Sequence, residues 1–263
     1  MCVRCGEAVD PAFSPAAATI CRVCRLAPPP FVRAVSYGAY EYRMRDAIHA
    51  LKYDRLHPLA PRLGRMLALA ISQLAADAPA DMLVIPVPLH RSKHAQRGFN
   101  QARSLATHAI DALRALHPGW RLTLTPSTVI RLRATESQAS LTPRQRRANV
   151  RGAFMIADPR SVAGKHILVI DDIFTTGATV RSVAQELKRA GAASVWAATL
   201  ARARWNNDQH GDTPATHTLA NKAAGDADPA FETIDSTRVP PAVSPADNPQ
   251  PASMGSSTNQ PSF

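Results

Sequence analysis

One stretch, from Ile167 to Thr179, constrains the fold of this chain more than any other. It reads ILVIDDIFTTGAT, and its four leading apolar residues are typical of a strand buried in a parallel sheet. Asp171 and Asp172 follow this predicted strand, and a loop of small residues then leads into a predicted helix over residues 180–190. Because open α/β sheets bind ligands at the carboxyl edge of their strands, we expect a ligand site here.

The loop and the two carboxylates suit different parts of one ligand. Hydroxyl groups and the free amides at the start of the predicted helix, whose dipole is positive there, favour a phosphate. The loop residues expected to contact it are Thr175, Thr176, Gly177, Ala178 and Thr179. Asp171 and Asp172 can accept hydrogen bonds from ribose hydroxyls or assist a hydrated Mg²⁺. The alternative is an ordinary strand-to-helix turn, in which Thr179 caps the helix and both aspartates are solvated.

Strand and helix patterns alternate along most of the chain. The predicted strands cover residues 34–42, 82–85, 166–170 and 195–200. The predicted helices cover about residues 44–51, 63–74, 100–116 and 180–190. This alternation favours an α/β fold in which helices pack on a mostly parallel sheet.

The cysteines are confined to the start of the chain, at Cys2, Cys5, Cys21 and Cys24. Their spacing, C-x2-C-x15-C-x2-C, is typical of a zinc site in which two tight turns supply a closed shell of four sulfur ligands. A closed shell indicates a structural ion, because roughly 25 residues are too few to form a core of their own. Two disulfides or a redox C-x2-C pair are the alternatives. We expect a zinc-ribbon-like element over residues 1–30, ending at three consecutive prolines.

Charge divides the chain at about residue 205. The whole chain has 31 Lys and Arg against 20 Asp and Glu, a net charge of +11. Residues 206–263 hold seven acidic and two basic residues with eight prolines, which predicts a disordered acidic tail. The rest therefore carries +16, which favours anionic partners. We expect a cytoplasmic protein without membrane insertion, because neither a bilayer-spanning apolar run nor a secretory signal is found.

The stretch 167–179 resembles the motif with which type I phosphoribosyltransferases bind phosphoribosyl pyrophosphate (PRPP). A second segment, from Val84 to Gln101, contains the strings PVPL and RGFNQ. Together with the cysteine spacing, these strings resemble the ComF family of competence-associated, phosphoribosyltransferase-like proteins over residues 2–203. The resemblance implies a zinc element followed by a type I phosphoribosyltransferase domain over residues 31–205.

The same resemblance implies two further contacts with PRPP. A loop after the predicted strand 82–85 would meet pyrophosphate, and the matching residues are Arg91, Lys93 and Arg97. The segment Arg131–Phe154 is similar to the mobile loop that folds over PRPP in these enzymes. It fits the family spacing at Thr135, Gln138, Leu141, Arg146, Asn149 and Phe154, and it contains the basic residue Arg144. For Arg91, Lys93 and Arg97 the alternative is a solvated basic surface. For the segment Arg131–Phe154 the alternatives are a solvated charged loop and a contact with nucleic acid.

Transfer of a phosphoribosyl group is the activity that the resemblance implies. A nucleophilic nitrogen would attack C1 of PRPP, with Asp171 and Asp172 holding the ribose and Arg97 with Mg²⁺ stabilising the leaving pyrophosphate. The acceptor is not identified. Type I phosphoribosyltransferases recognise their base through a separate hood element, whereas this chain passes from Leu200 almost directly into the acidic tail. The alternative is a non-catalytic competence factor that binds nucleotides, single-stranded DNA or competence-machinery proteins. The basic charge favours DNA, whereas aromatic residues, at 5% of the chain, offer few platforms for stacking bases.

Overall fold

A computed structural model of the protein describes residues 1–9, 19–53, 56–134 and 142–203, and its centre is a parallel sheet. The sheet strands are β1 (Ala34–Ala39), β2 (Asp81–Pro86), β3 (Arg121–Leu124), β6 (His166–Phe174) and β7 (Ser194–Arg202). They lie in the order β1-β7-β6-β2-β3, and all neighbours pair in parallel. A separate antiparallel pair consists of β4 (Val129–Arg131) and β5 (Phe154–Ile156).

Seven α-helices occur in the described parts of the chain. They are α1 (Arg22–Leu26), α2 (Tyr42–Tyr53), α3 (Ala60–Ser72), α4 (Arg91–Arg97), α5 (Gln101–Leu116), α6 (Pro143–Val150) and α7 (Ala178–Arg189). Side chains of α2, α3 and α5 pack on one face of the sheet. Side chains of α7 pack on the other face together with the four cysteines. The sheet is therefore covered on both sides.

The central strand β6 explains why its sequence is continuously apolar. Ile167 and Val169 belong to the core beneath α7, whereas Leu168 and Ile170 belong to the core beneath α3 and α5. All four side chains are fully buried. Because successive side chains of a strand point to opposite faces, only a strand covered on both faces needs an apolar residue at every position.

The predicted α/β fold is confirmed, but several elements end at other residues than predicted. The aspartates do not follow a strand that ends at Ile170: β6 continues through both of them to Phe174, because β7 pairs with it as far as Arg202. The first strand ends at Ala39 rather than residue 42, and Tyr42 begins α2 with a φ of 43°. The helix predicted from residue 180 begins two residues earlier, at Ala178.

Short elements were missed by the sequence prediction. The three- and four-residue strands β3, β4 and β5 are too short to show a periodic pattern. The basic segment 91–97 was predicted as a loop and is the helix α4. In its described part, the segment 131–154 is not a continuous loop, because it contains the last residue of β4, all of α6 and the first residue of β5.

Some predicted features lie outside the described residues. Thr135, Gln138 and Leu141 are among them, as is the proposed tail over residues 206–263. The backbone of Arg144 belongs to α6, but its side chain is not described. Within the described ranges, no helix is both long and apolar enough to cross a membrane.

Candidate ligand-binding site and metal centre

A cavity of about 640 Å³ opens at the carboxyl edge of β2 and β6. The structure brings together seven of the residues predicted to meet the ligand in its lining, and these are Lys93, Arg97, Arg146, Asp171, Asp172, Thr175 and Thr179. Arg91 is exposed and lies outside the described lining of the cavity. The carboxylates, the threonine loop and the basic helix α4 therefore face a common space, as expected for the carboxyl edge of an open sheet.

Asp172 is the buried member of the aspartate pair. Lys52 Nζ lies 2.8 Å from its Oδ2, and Gln101 Nε2 donates a hydrogen bond to the same oxygen at 3.0 Å. Burial alone would lower the pKa of Lys52, but the charge of Asp172 and the hydrogen bond to it raise that pKa. Lys52 is therefore held in its protonated form, and Asp172 is held in place by residues from α2 and α5.

Asp171 has a different environment. Its side chain is partly exposed to the cavity, and its Oδ1 accepts a hydrogen bond from the backbone N–H of Asp172 at 2.9 Å. Burial and the negative charge of Asp172 raise the pKa of Asp171 to about 7, against the opposing charges of Lys52 and Arg131. A ligand that brings hydroxyl donors or a cation to this carboxylate would stabilise its ionised form.

The predicted phosphate loop, residues 175–179, leads from β6 into α7. Gly177 is the N-cap of α7 and has a φ of 71°, a left-handed conformation that glycine adopts without strain. Thr176 Oγ1 accepts a hydrogen bond from the Ala178 N–H at 3.3 Å. The alternative interpretation, with Thr179 as the cap, is wrong, and Thr179 instead lines the cavity. The start of a twelve-residue helix, where the helix dipole is positive, suits an anion.

The string RGFNQ builds the junction between α4 and α5. Gly98 ends α4 with a φ of 79°, and Asn100 caps α5 by accepting from the Arg103 N–H at 3.2 Å. Asn100 Nδ2 also donates to the carbonyl of Val87 at 3.0 Å, which ties this junction to the end of β2. Gln101 is thereby positioned to reach Asp172.

Lys93, Arg97 and Arg131 bring several positive charges into the lining of the cavity. The guanidinium of Arg97 lies 4.9 Å from the ring centre of Tyr53 and donates to Gln101 Oε1 at 3.3 Å. Burial lowers the pKa of Lys93, and the neighbouring charges of Arg131 and Arg97 lower it further. This mutual repulsion would be relieved by a polyanionic ligand.

Several residues of the cavity were not predicted as site residues, and these are Arg45, His49, Lys52, Tyr53, Gln101 and Arg131. Lys52 ends the amphipathic pattern of α2 and has the appearance of a solvated lysine in the sequence. Its partner Asp172 is 120 positions further along the chain. Of the six, only Gln101 had a local signal, since it closes the RGFNQ string.

The four cysteines form one buried cluster. Their sulfur atoms all lie within 4.8 Å of one another, and none is in a disulfide. Cys5 Sγ and Cys21 Sγ are 3.7 Å apart, close to the value of about 3.8 Å required by a tetrahedron with zinc–sulfur bonds of about 2.3 Å. The disulfide alternative is wrong, and the donor set fits a metal ion in a closed four-sulfur shell.

Comparison with known proteins agrees with this geometry. The sequence model described as a phosphoribosyl transferase domain matches residues 104–220. The DNA utilization protein YhgH of Shigella flexneri is 34% identical over 204 residues, which cover 77% of this chain and 84% of that protein. Competence protein F of Haemophilus influenzae is 26% identical over 186 residues, covering 70% and 78%. Competence protein ComFC of Bacillus subtilis is 34% identical over 121 residues, covering 46% and 44%.

The fold and the domain match define the class first. The chain has the type I phosphoribosyltransferase fold, a mostly parallel sheet with helices on both faces and a carboxyl-edge cavity. The relatives then narrow the class. This protein belongs to the ComF family.

Proposed function

We propose that this protein binds PRPP with Mg²⁺ and transfers its phosphoribosyl group to an acceptor that the sequence does not identify. The observation that carries the proposal is the cavity itself, in which Asp171 and the phosphate loop face the cations Lys93 and Arg97. PRPP has a ribose between a 5′-phosphate and a pyrophosphate, and the cavity offers a complementary group for each part.

Each part of PRPP has a proposed partner. The amides and hydroxyls of residues 175–179 hold the 5′-phosphate at the start of α7. Asp171 accepts hydrogen bonds from the ribose hydroxyls, and Asp172, engaged by Lys52, keeps the end of β6 in position. The pyrophosphate is bound by basic residues, for which the proposed residues are Lys93 and Arg97 of the cavity lining together with Arg91 and Arg144.

The proposed reaction is a displacement at C1 of the ribose. The bond from C1 to the pyrophosphate oxygen breaks, and its electron pair leaves with pyrophosphate. A lone pair of an acceptor nitrogen forms the new bond to C1, and the acceptor loses its N–H proton. Magnesium bound with pyrophosphate supplies positive charge to the leaving group. The residues of this chain hold the ribose and bind the pyrophosphate in line for the reaction.

The four-cysteine cluster holds a structural Zn²⁺, and residues 1–30, 31–205 and 206–263 are the zinc element, the catalytic domain and an acidic tail. The protein acts in the cytoplasm in a process linked to DNA uptake in natural competence. Two relatives are named competence proteins and one a DNA utilization protein, which supports this link.

Thermal protection by PRPP tests ligand binding. Saturating PRPP with Mg²⁺ at about 100 times its Kd should stabilise the native protein by about 2.7 kcal/mol. Asp171→Asn should remove most of this protection, because an amide cannot accept from the ribose hydroxyls in the same way. Asp111→Asn is the matched control, since Asp111 lies on the exposed face of α5 in a surface pair with Arg114. Equal protection of wild type and Asp171→Asn would contradict the ribose role.

Turnover needs a separate measurement. Pyrophosphate release from PRPP should be measured with purine, pyrimidine and nicotinate-like acceptors. Release that depends on one acceptor would establish transfer and name the acceptor class. Binding of PRPP without release from any of them would favour the non-catalytic alternative.

Single-stranded DNA binding is the second candidate function, and the +16 charge of residues 1–205 favours it. Phosphate contacts by Lys and Arg release counterions, so the affinity for a polythymidine oligonucleotide should fall steeply with salt. Arg91→Gln should lower the slope of log affinity against log salt by about one, because Arg91 is exposed on α4. Affinity that stays flat between about 50 and 200 mM salt would rule out this electrostatic mode.

A further inference from the structure

Two arginines connect the four-cysteine element to the phosphate loop that follows β6. Arg202 is the last residue of β7, and Arg181 lies in the first turns of α7. Each contacts a different C-x2-C turn, since Arg202 Nη2 is 3.7 Å from Cys5 Sγ and Arg181 Nη2 is 3.7 Å from Cys24 Sγ. Neither contact was predicted from the sequence.

Arg202 links the cysteine turn to an aromatic ring. Its guanidinium donates to the carbonyl of Cys5 and pairs with Glu7, while its side chain is only 12% exposed. The guanidinium carbon also lies 4.6 Å from the ring centre of Phe174. A planar guanidinium can make edge hydrogen bonds and a face contact at once, which a lysine ammonium cannot.

Phe174 links this arginine to the phosphate loop. It is the last residue of β6, is buried, and meets Phe31 edge-on with ring centres 6.2 Å apart. Its ring fills the space beside Gly177, where a Cβ would lie 2.4 Å from Cζ of Phe174. The position of this ring therefore determines where the backbone of the phosphate loop can run.

Arg181 makes the second connection. It donates to the carbonyl of Ala27 at 2.9 Å, and its guanidinium carbon lies 5.9 Å from the ring centre of Phe31. The N-terminal part of α7, whose amides face the proposed phosphate, is thus joined to the second C-x2-C turn. Both sides of the phosphate loop are supported from the cysteine element.

We infer that Arg202 is a positioning residue through which the metal-loaded cysteine element shapes the phosphate loop. The inference rests on the proposed function, because it concerns how PRPP is held. A segment this small keeps its shape only when its metal is bound. Loss of the metal therefore frees Arg202 and Phe174, and PRPP binding weakens. By linkage, bound PRPP must in turn make the metal harder to remove.

Arg202→Lys in the full chain tests the inference, because it keeps the positive charge and removes the planar fork. We expect the Kd for PRPP with Mg²⁺ to rise about tenfold while the metal content stays near one ion per chain. Arg33→Lys is the matched control, since Arg33 pairs with Asp77 at 2.9 Å on the surface. Phe174→Leu provides a second variant, expected to weaken PRPP binding in the same direction.

The second readout is the rate of metal extraction by a zinc-selective chelator. In the wild type, PRPP with Mg²⁺ should slow extraction several-fold, and in Arg202→Lys this protection should be lost. If the wild type binds PRPP but Arg202→Lys keeps both its affinity and its protection, the inference is overturned and the proposed function stands. If the wild type does not bind PRPP, the proposed function fails and the inference fails with it.

Discussion

The cavity and the cysteine element both bury positive charge, but they do so in different ways. In the cavity, Lys93 lies near Arg97 and Arg131, and these like charges lower its pKa in addition to burial. Next to the cysteine element, Arg202 of β7 and Arg181 of α7 contact backbone carbonyls, cysteine sulfur atoms and phenylalanine rings. Cations that repel one another are suited to binding a polyanion, whereas cations that are paired with other groups of the fold are suited to holding structure.

The same difference separates the two adjacent aspartates. Asp172 is engaged at Oδ2 by Lys52 and Gln101, and these contacts fix its position near the end of β6. Asp171 faces the cavity with a raised pKa and is suited to meet a ligand. Both carboxylates line the cavity, but successive side chains leave a strand in different directions and therefore meet different neighbours.

The largest expected effect is on stability, when one ligand of the four-cysteine cluster is removed. Cys21→Ser removes one ligand of the closed shell, so the chain should lose its metal and the packing of residues 1–9 and 19–30 on the sheet. Because metal binding is coupled to folding in such small elements, we expect the thermal midpoint to fall by more than about 10 °C. Metal content and thermal denaturation measure this. A variant that keeps one ion per chain and the wild-type midpoint would show that the cluster is not a metal site.

The next effect concerns the buried ion pair. Lys52→Met leaves Asp172 as a buried carboxylate without its cation and should lower the free energy of unfolding by about 3–5 kcal/mol. Arg33→Met, at an exposed pair, should cost about 1 kcal/mol or less. Adding Asp172→Asn to Lys52→Met should recover part of the loss. Urea unfolding gives these values, and an equal cost for the two methionine variants would contradict the structural role assigned to Asp172.

A smaller effect separates backbone strain from crowding at the phosphate loop. Gly177→Ala introduces a side chain at positive φ and drives its Cβ to within 2.4 Å of Phe174, so it should cost about 2–4 kcal/mol. Gly98→Ala is the matched control, because Gly98 has a similar φ of 79° but no atom within 4 Å of the added Cβ. It should cost about 1 kcal/mol. Similar unfolding free energies for both variants would contradict the close packing of Phe174.

The smallest effect is a dependence on pH. A carboxyl in an unfolded chain ionises near pH 3.9, whereas burial and the charge of Asp172 raise the pKa of Asp171 to about 7. A raised pKa in the folded state contributes stability that is complete at low pH and lost as the pH rises through that value. Relative to Asp171→Asn, the wild type should lose about 1 kcal/mol between pH 6 and pH 8. Parallel stability profiles for the two proteins would contradict this environment, and Asp111→Asn should follow the wild type.

The sequence by itself determined the features that depend on residues close together in the chain. The cysteine spacing, the apolar run of β6 and the small-residue loop after it are local patterns, and each predicts a local geometry. The alternation of these patterns was sufficient for the α/β fold. The limits of β6 were not, because a strand continues as long as its neighbour pairs with it, and β7 pairs beyond both aspartates.

Only the tertiary structure decided which charged side chains meet. Lys52, Gln101 and Asp172 come from three elements, and nothing in the sequence near any one of them indicates the other two. Arg202 contacts Cys5, which lies 197 positions earlier in the chain. Such contacts depend on packing between distant segments, where a lysine or arginine has the same local pattern whether it is solvated or buried against a partner. The division between the ligand-binding cavity and the structural cysteine element is therefore a property of the fold.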